Sequence, residues 1–159
     1  MERDEQERLR ELWKELKRQK VLPDILVRVI AYAPLPEIRE EAWEMFRDPS
    51  YYPRTKGRDL VYLVLHCPRV REKAAEMLLA RPGRGAANHY QLRVVIENVP
   101  SLRERAARRL LKKPELDDKD IMCIAKNVPE LQEEALARRK RPQEVILEDL
   151  TGITLERGF

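Results

Sequence analysis

The sequence predicts an all-α chain: a short right-handed α-solenoid of about four helix–turn–helix units behind an N-terminal capping helix. Three observations lead there. One segment recurs four times, its apolar residues fall at helical spacing in every copy, and proline interrupts each copy at the same place. Self-similarity at a fixed period of this length is the mark of stacked helical units.

The four copies read ILVRVIAYAP-LP-EIREEAWEMF from Ile25, DLVYLVLHCP-RVREKAAEML from Asp59, QLRVVIENVP-SLRERAARRL from Gln91 and DIMCIAKNVP-ELQEEALARR from Asp120. Pro36, Pro68, Pro100 and Pro129 open the second helix of each, at spacings of 32, 32 and 29 residues. The first copy carries Leu35 and Pro36 as two extra residues at its turn. In the second helices the apolar positions fall at i, i+4 and i+7 or i+8: Ile38, Ala42, Met45 and Phe46; Val70, Ala74, Met77 and Leu78; Leu102, Ala106 and Leu110; Leu131 and Ala135. That spacing lays one apolar stripe along each helix. The recurring alanine is small enough to let two helices approach closely.

The turns carry matching chemistry. Asn98 and Asn127 fall where the first helix ends, and asparagine tolerates a left-handed C′ residue, with Val99 and Val128 following as its apolar contact. Proline then starts the second helix, where a missing N–H costs nothing. Ser101 and Glu104 are spaced for a capping box.

The N-terminal helix is expected over about residues 4–19, with Leu9, Leu12, Trp13 and Leu16 as one apolar stripe over the open end of the first unit. Repeats follow at about 24–47, 59–80, 90–112 and 119–140, making one repeat domain over 1–141. Arg139 replaces the Leu110, Leu78 or Phe46 of the other copies, as solubility of a terminal layer requires. Residues 142–159 lack a helical stripe and read as an extended or disordered tail, with a small hairpin about Thr151–Gly152 as an alternative.

The second helices resemble those of HEAT repeats, which read apolar–Arg–x–x–Ala. Here the matching residues are Ile38/Arg39/Ala42, Val70/Arg71/Ala74 and Leu102/Arg103/Ala106, over a resemblance running from about Ile25 to Arg139. The fourth copy has Gln132 in place of Arg, the first helices are short, and the usual turn Asp is absent. The resemblance implies mostly non-catalytic scaffolds that bind proteins along a curved surface, with a minority that bind nucleic acid and some lyases and pigment-maturation factors.

Charged residues make up 38% of the chain and the net charge is only +4, which permits nucleic-acid contact without requiring it. There is no apolar run of membrane length and no secretory h-region, and the two cysteines suit a reducing compartment, so a cytoplasmic location without membrane contact is expected. His66 and Cys67 are neighbours, but adjacent helical residues point about 100° apart, and Cys67 occupies the slot of Val99 and Val128. Cys123 falls in an apolar stripe, and a free cysteine there behaves as a small buried hydrophobe. Asp117–Asp118 and Glu133–Glu134 read as solvated surface. No CxxC, HExxH or phosphate-loop pattern occurs, so no catalytic residue, metal or cofactor is expected.

The charged surface is more informative. Between Ser101 and Lys113 six basic residues face one acid, whereas Glu37–Arg47 holds four acids and two arginines. The expected function is a non-enzymatic protein-interaction module, an adaptor or assembly factor. Its partner surface is a basic patch of Arg103, Arg105, Arg108, Arg109, Lys112, Arg138 and Arg139, and the partner is another protein with an acidic surface. A second candidate contact is the loop with Tyr51, Tyr52 and Arg54, since Tyr and Arg are favoured interface anchors. The alternative is a nucleic-acid-binding helical repeat, which aromatic residues interleaved with the basic ones would favour. None lies between Tyr90 and Phe159.

Overall fold

The computed structural model describes residues 1–49 and 57–139, and every regular element among them is helical. The chain runs through α1 (Arg3–Arg18), α2 (Pro23–Tyr32), α3 (Pro36–Arg47), α4 (Gly57–His66), α5 (Arg71–Ala80), α6 (His89–Asn98), α7 (Arg103–Leu111), α8 (Asp118–Asn127) and α9 (Gln132–Ala137). Short 3₁₀ turns occupy Gly83–Gly85, Pro100–Leu102 and Pro129–Leu131. None of these helices is long and apolar enough to cross a membrane. Tyr51, Tyr52, Arg54 and the tail 142–159 lie outside the described residues.

The helices pack in pairs: α2 on α3, α4 on α5, α6 on α7 and α8 on α9. The first helices also touch in succession, α2 to α4 to α6 to α8. Between second helices the contact is slighter, α5 reaching the Pro100–Leu102 turn of the next pair. Ala42, Ala74, Ala106 and Ala135 are all fully buried and belong to the shared core. Around them Ile30, Phe46, Leu63, Leu78, Ile96, Leu110 and Ile124 form one continuous core. Each fully buried side chain of this size contributes roughly 1.5–3 kcal/mol relative to exposure, so the seam of apolar side chains is what holds helices of about three turns that would be marginal alone.

The turns differ from expectation in three ways. Among the described residues no non-glycine has a positive φ, so Asn98 and Asn127 do not enter the left-handed region. Each is the last residue of its helix and turns its side-chain amide back, Nδ2 donating to Val94 O and to Cys123 O at 2.8 Å. The amide adds a second donor to the carbonyl one turn back and fixes the side chain without a backbone excursion. Val99 and Val128 then sit at the C-cap and are buried. Secondly, only Pro36 starts an α-helix; Pro100 and Pro129 open a 3₁₀ turn and Pro68 a plain turn, with the α-helix beginning three residues later. Thirdly, Ser101 and Glu104 make no capping box; Glu104 instead accepts from Arg108. The boxes that do form cap first helices. The Gln91 N–H donates to Asn88 Oδ1 at 2.8 Å and the Asn88 N–H to Gln91 Oε1 at 3.0 Å, and Asp117 and Asp120 repeat the arrangement at α8.

Helix α1 docks on α3 through Trp13, which is buried and donates its indole N–H to Glu41 Oε2 at 2.9 Å. Lys17 joins the same carboxylate, and Arg10 pairs with Glu37 at 2.6 Å. Leu9 and Leu16 pack against the core, but Leu12 is 57% exposed and does not belong to the buried stripe.

Candidate partner-binding groove

The seven basic residues singled out by sequence separate, in the folded chain, into those spent on structure and those left over. Arg103 belongs to the first group: its Nε donates to Ile96 O at 2.6 Å. Arg71 makes the same bond to Val64 O, and Arg39 reaches Ala33 O. The arginine that follows the apolar residue in these second helices thus closes the carbonyl end of its own partner helix, where cations are favoured.

Arg109 and Arg138 close the carbonyl ends of the preceding second helices. Arg109 Nη1 donates to Leu79 O of α5, and Arg138 donates to Leu111 O at 2.7 Å and Lys113 O at 3.2 Å behind α7. The corresponding positions in α3 and α5 are Met45 and Met77, which pack against the core instead. Arg108 pairs with Glu104 one turn earlier at 2.8 Å, and Arg139 lies 3.5 Å from Asp118.

Arg105 and Lys112 remain, together with Lys113. None of the three has an ion-pair partner among the described residues. They line a groove of about 600 Å³ at the carbonyl ends of α5 and α7, with Arg81 and Arg109 also on its wall and no acidic residue in the lining. Ala80, Pro82, Ala86 and Pro114 give the groove exposed apolar patches between the cations. The Arg81 guanidinium lies over Gly57 beside the Gln91 amide, in space that a Cβ at residue 57 would fill. Arg105, Arg109 and Lys112 also line the neighbouring hollow on the outer face of α7, so the positive strip is continuous across them.

Helix-dipole complementarity accounts for cations at a helix C-terminus, and Lys112 and Lys113 lie just past the end of α7. It does not account for Arg105, the third residue of α7, which stands at the positive end of the helix.

Sequence reasoning missed two clusters. On the first-helix face the Tyr62 hydroxyl donates to Tyr32 at 2.9 Å, their rings meet edge to face, and the His66 ring packs on Tyr62 at 4.5 Å. The signal was the i, i+4 spacing of Tyr62 and His66 within α4. The second cluster surrounds Asp120, which is fully buried. Its Oδ1 accepts from Arg93 at 2.6 Å, and its Oδ2 meets His89 Nδ1 at 3.0 Å and the Asp117 N–H at 3.1 Å. Both oxygens are occupied by groups of α6 and of the α8 cap, so this carboxylate ties helices together.

The groups considered for chemistry lie in structural roles. Cys67 is buried with its thiol 3.8 Å from Ile30 O, while His66 faces Tyr62. Burial, reinforced by the negative charge of Glu97, pushes the Cys123 thiol up to about 12. The backbone N–H of Asp120 holds the Asp117 carboxyl below its usual range, as suits an N-cap. Among the described residues no three His, Cys, Asp or Glu side chains converge in a metal-holding group.

No family model, curated protein or solved structure matches this chain.

Proposed function

We propose that this chain is a short HEAT-like α-solenoid acting as a non-enzymatic protein-interaction module, an adaptor or assembly factor that holds an acidic partner. The observation that carries this reading is Arg105: an exposed cation at the wrong end of its helix, without an acidic partner among the described residues, on the wall of a groove lined by cations and no acids. A cation so placed is available to a group outside the chain, where charge complementarity gives specificity. The two free, buried cysteines support a reducing compartment such as the cytoplasm. Succession of first helices and a shared apolar seam support the stacked architecture, in which each unit contacts its neighbours.

A second reading, a nucleic-acid-binding repeat, draws support from the same cations. The two separate in one experiment. The immobilised full chain and an Arg105→Glu/Lys112→Glu variant are exposed to extract of the source cells, with and without nuclease, and the retained material is identified. A protein retained after nuclease treatment and lost with the variant favours the interaction module. Retained nucleic acid, with affinity falling log-linearly in salt, favours the second reading.

A further inference from the structure

We propose, resting on that reading, that the α5–α7 groove receives a short extended segment of a partner protein in which acidic and small aliphatic residues alternate. Arg105, Lys112 and Lys113 meet its carboxylates, and Ala80, Pro82, Ala86 and Pro114 meet its aliphatic side chains.

Size sets the first limit. A groove of about 600 Å³ has room for a few residues of chain. The lining sets the second. Cations separated by exposed apolar patches match a segment whose side chains point alternately to opposite sides, as those of an extended strand do.

Charge along the row of second helices sets the third limit. On one side of the basic α7 lies α5, with Glu72 and Glu76 exposed, and beyond it α3; on the other lies α9, with Glu133 and Glu134 exposed. A long polyanion lying along the row would leave the groove and meet carboxylates within one helix pair on the α9 side. A short acidic segment ends before it does. No aromatic ring lines the groove, so a single-stranded nucleic acid would find no stacking platform there. The cation pattern recurs only in part: Lys73 and Arg81 stand in the preceding pair where Arg105 and Lys113 do, but Ala80 replaces Lys112, so that pair lacks the cation between them.

The test is fluorescence anisotropy on the full chain with a labelled peptide of four Glu-Val repeats. Three comparison probes accompany it: the peptide with Gln for its acids, the peptide with Ser for its valines, and a labelled oligo-dT of similar length. Saturable binding of the acidic peptide is expected. An Arg105→Gln/Lys112→Gln/Lys113→Gln variant should weaken it on the order of tenfold, Lys73→Gln should leave it unchanged, and both altered peptides should bind more weakly. All four substituted side chains are exposed or partly exposed and make no side-chain hydrogen bond among the described residues, so unchanged thermal unfolding verifies each variant.

Binding that survives the triple substitution overturns the proposal. So does tighter binding of oligo-dT lost with the same substitution, or absence of binding by the acidic peptide. In the last case, a protein still captured in an Arg105-dependent manner leaves the interaction module standing and removes only the acidic–aliphatic occupant.

Discussion

Leucine in place of Ala74 or Ala106 inserts three carbons at points where no surface is accessible and two helices of a pair are already in contact. The core must shift or adopt strained rotamers, at a cost of about 1–3 kcal/mol. Urea denaturation should show a lower midpoint for either variant, whereas Ala137→Leu, at an exposed position, should leave it unchanged. This feature was legible in the sequence because a small residue at a fixed distance from a branched one leaves a periodic trace. The role of Asp120 was not: its partners His89 and Arg93 lie about one repeat upstream, and no local pattern marks a carboxylate as buried. Cys123 gives a second test at this scale. With its thiol raised to about 12 by burial and by Glu97, roughly one molecule in ten thousand carries the thiolate at pH 8, and the thiolate is the reactive form. In a Cys67→Ala background, Ellman's reagent should leave the native chain unlabelled and modify it promptly in urea. Rapid native labelling would show that the burial is not maintained in solution.

At the scale of the helix, the ends were the part least legible in the sequence. Asparagine before a buried valine is compatible with a left-handed cap and with a side-chain cap, and only backbone angles separate them. The two make opposite predictions for Asn98→Gly. A left-handed residue would tolerate or favour glycine. A residue with negative φ whose amide holds the Val94 carbonyl loses that bond and gains backbone entropy in the unfolded chain. A loss of about 1 kcal/mol is expected, measured by chemical denaturation. The prolines mislead in a related way: their place in the turn was readable, but three of the four begin a turn rather than an α-helix, because the following residues tighten first.

The docking of α1 adds a pH dependence to this scale. Partial burial alone would raise the Glu41 carboxyl, but the hydrogen bonds from Lys17 and Trp13 outweigh it, so its pKa in the folded chain is lowered. A lowered folded value means stability that is present above the unfolded value near 4.3 and is lost as pH falls through the folded one. Acidification to below the usual glutamate range should therefore weaken the docking of α1. Trp13 fluorescence in a Trp43→Phe background would follow the change, and Glu41→Gln should flatten the profile. A pH response that survives Glu41→Gln would assign the docking to other groups.

Across the whole molecule, the charges that sequence grouped into one patch are divided by the fold. Arg103, Arg109 and Arg138 hold carbonyl ends, Arg108 and Arg139 face nearby acids, and the small remainder lines the groove. Clustering along the chain was visible, but a cation's partner 25–30 residues away was not. The same long-range accounting predicts how the array comes apart. The α6–α8 contact carries a fully buried carboxylate whose main counter-charge is Arg93. Arg93→Met leaves Asp120 with only His89 and a backbone N–H, and breaking a buried pair this way costs about 3–5 kcal/mol. The double variant Arg93→Met/Asp120→Leu removes the stranded charge and should recover most of that loss. Recovery stays incomplete because Asp120 is also half of the α8 capping box, worth about 1 kcal/mol. Since stacked units are stabilised chiefly by their nearest neighbours, the damage in Arg93→Met should be local. Hydrogen exchange should quicken in α8 and α9 while α2–α5 keep their protection. Uniform acceleration along the chain would instead show that all the described helices open as one cooperative unit.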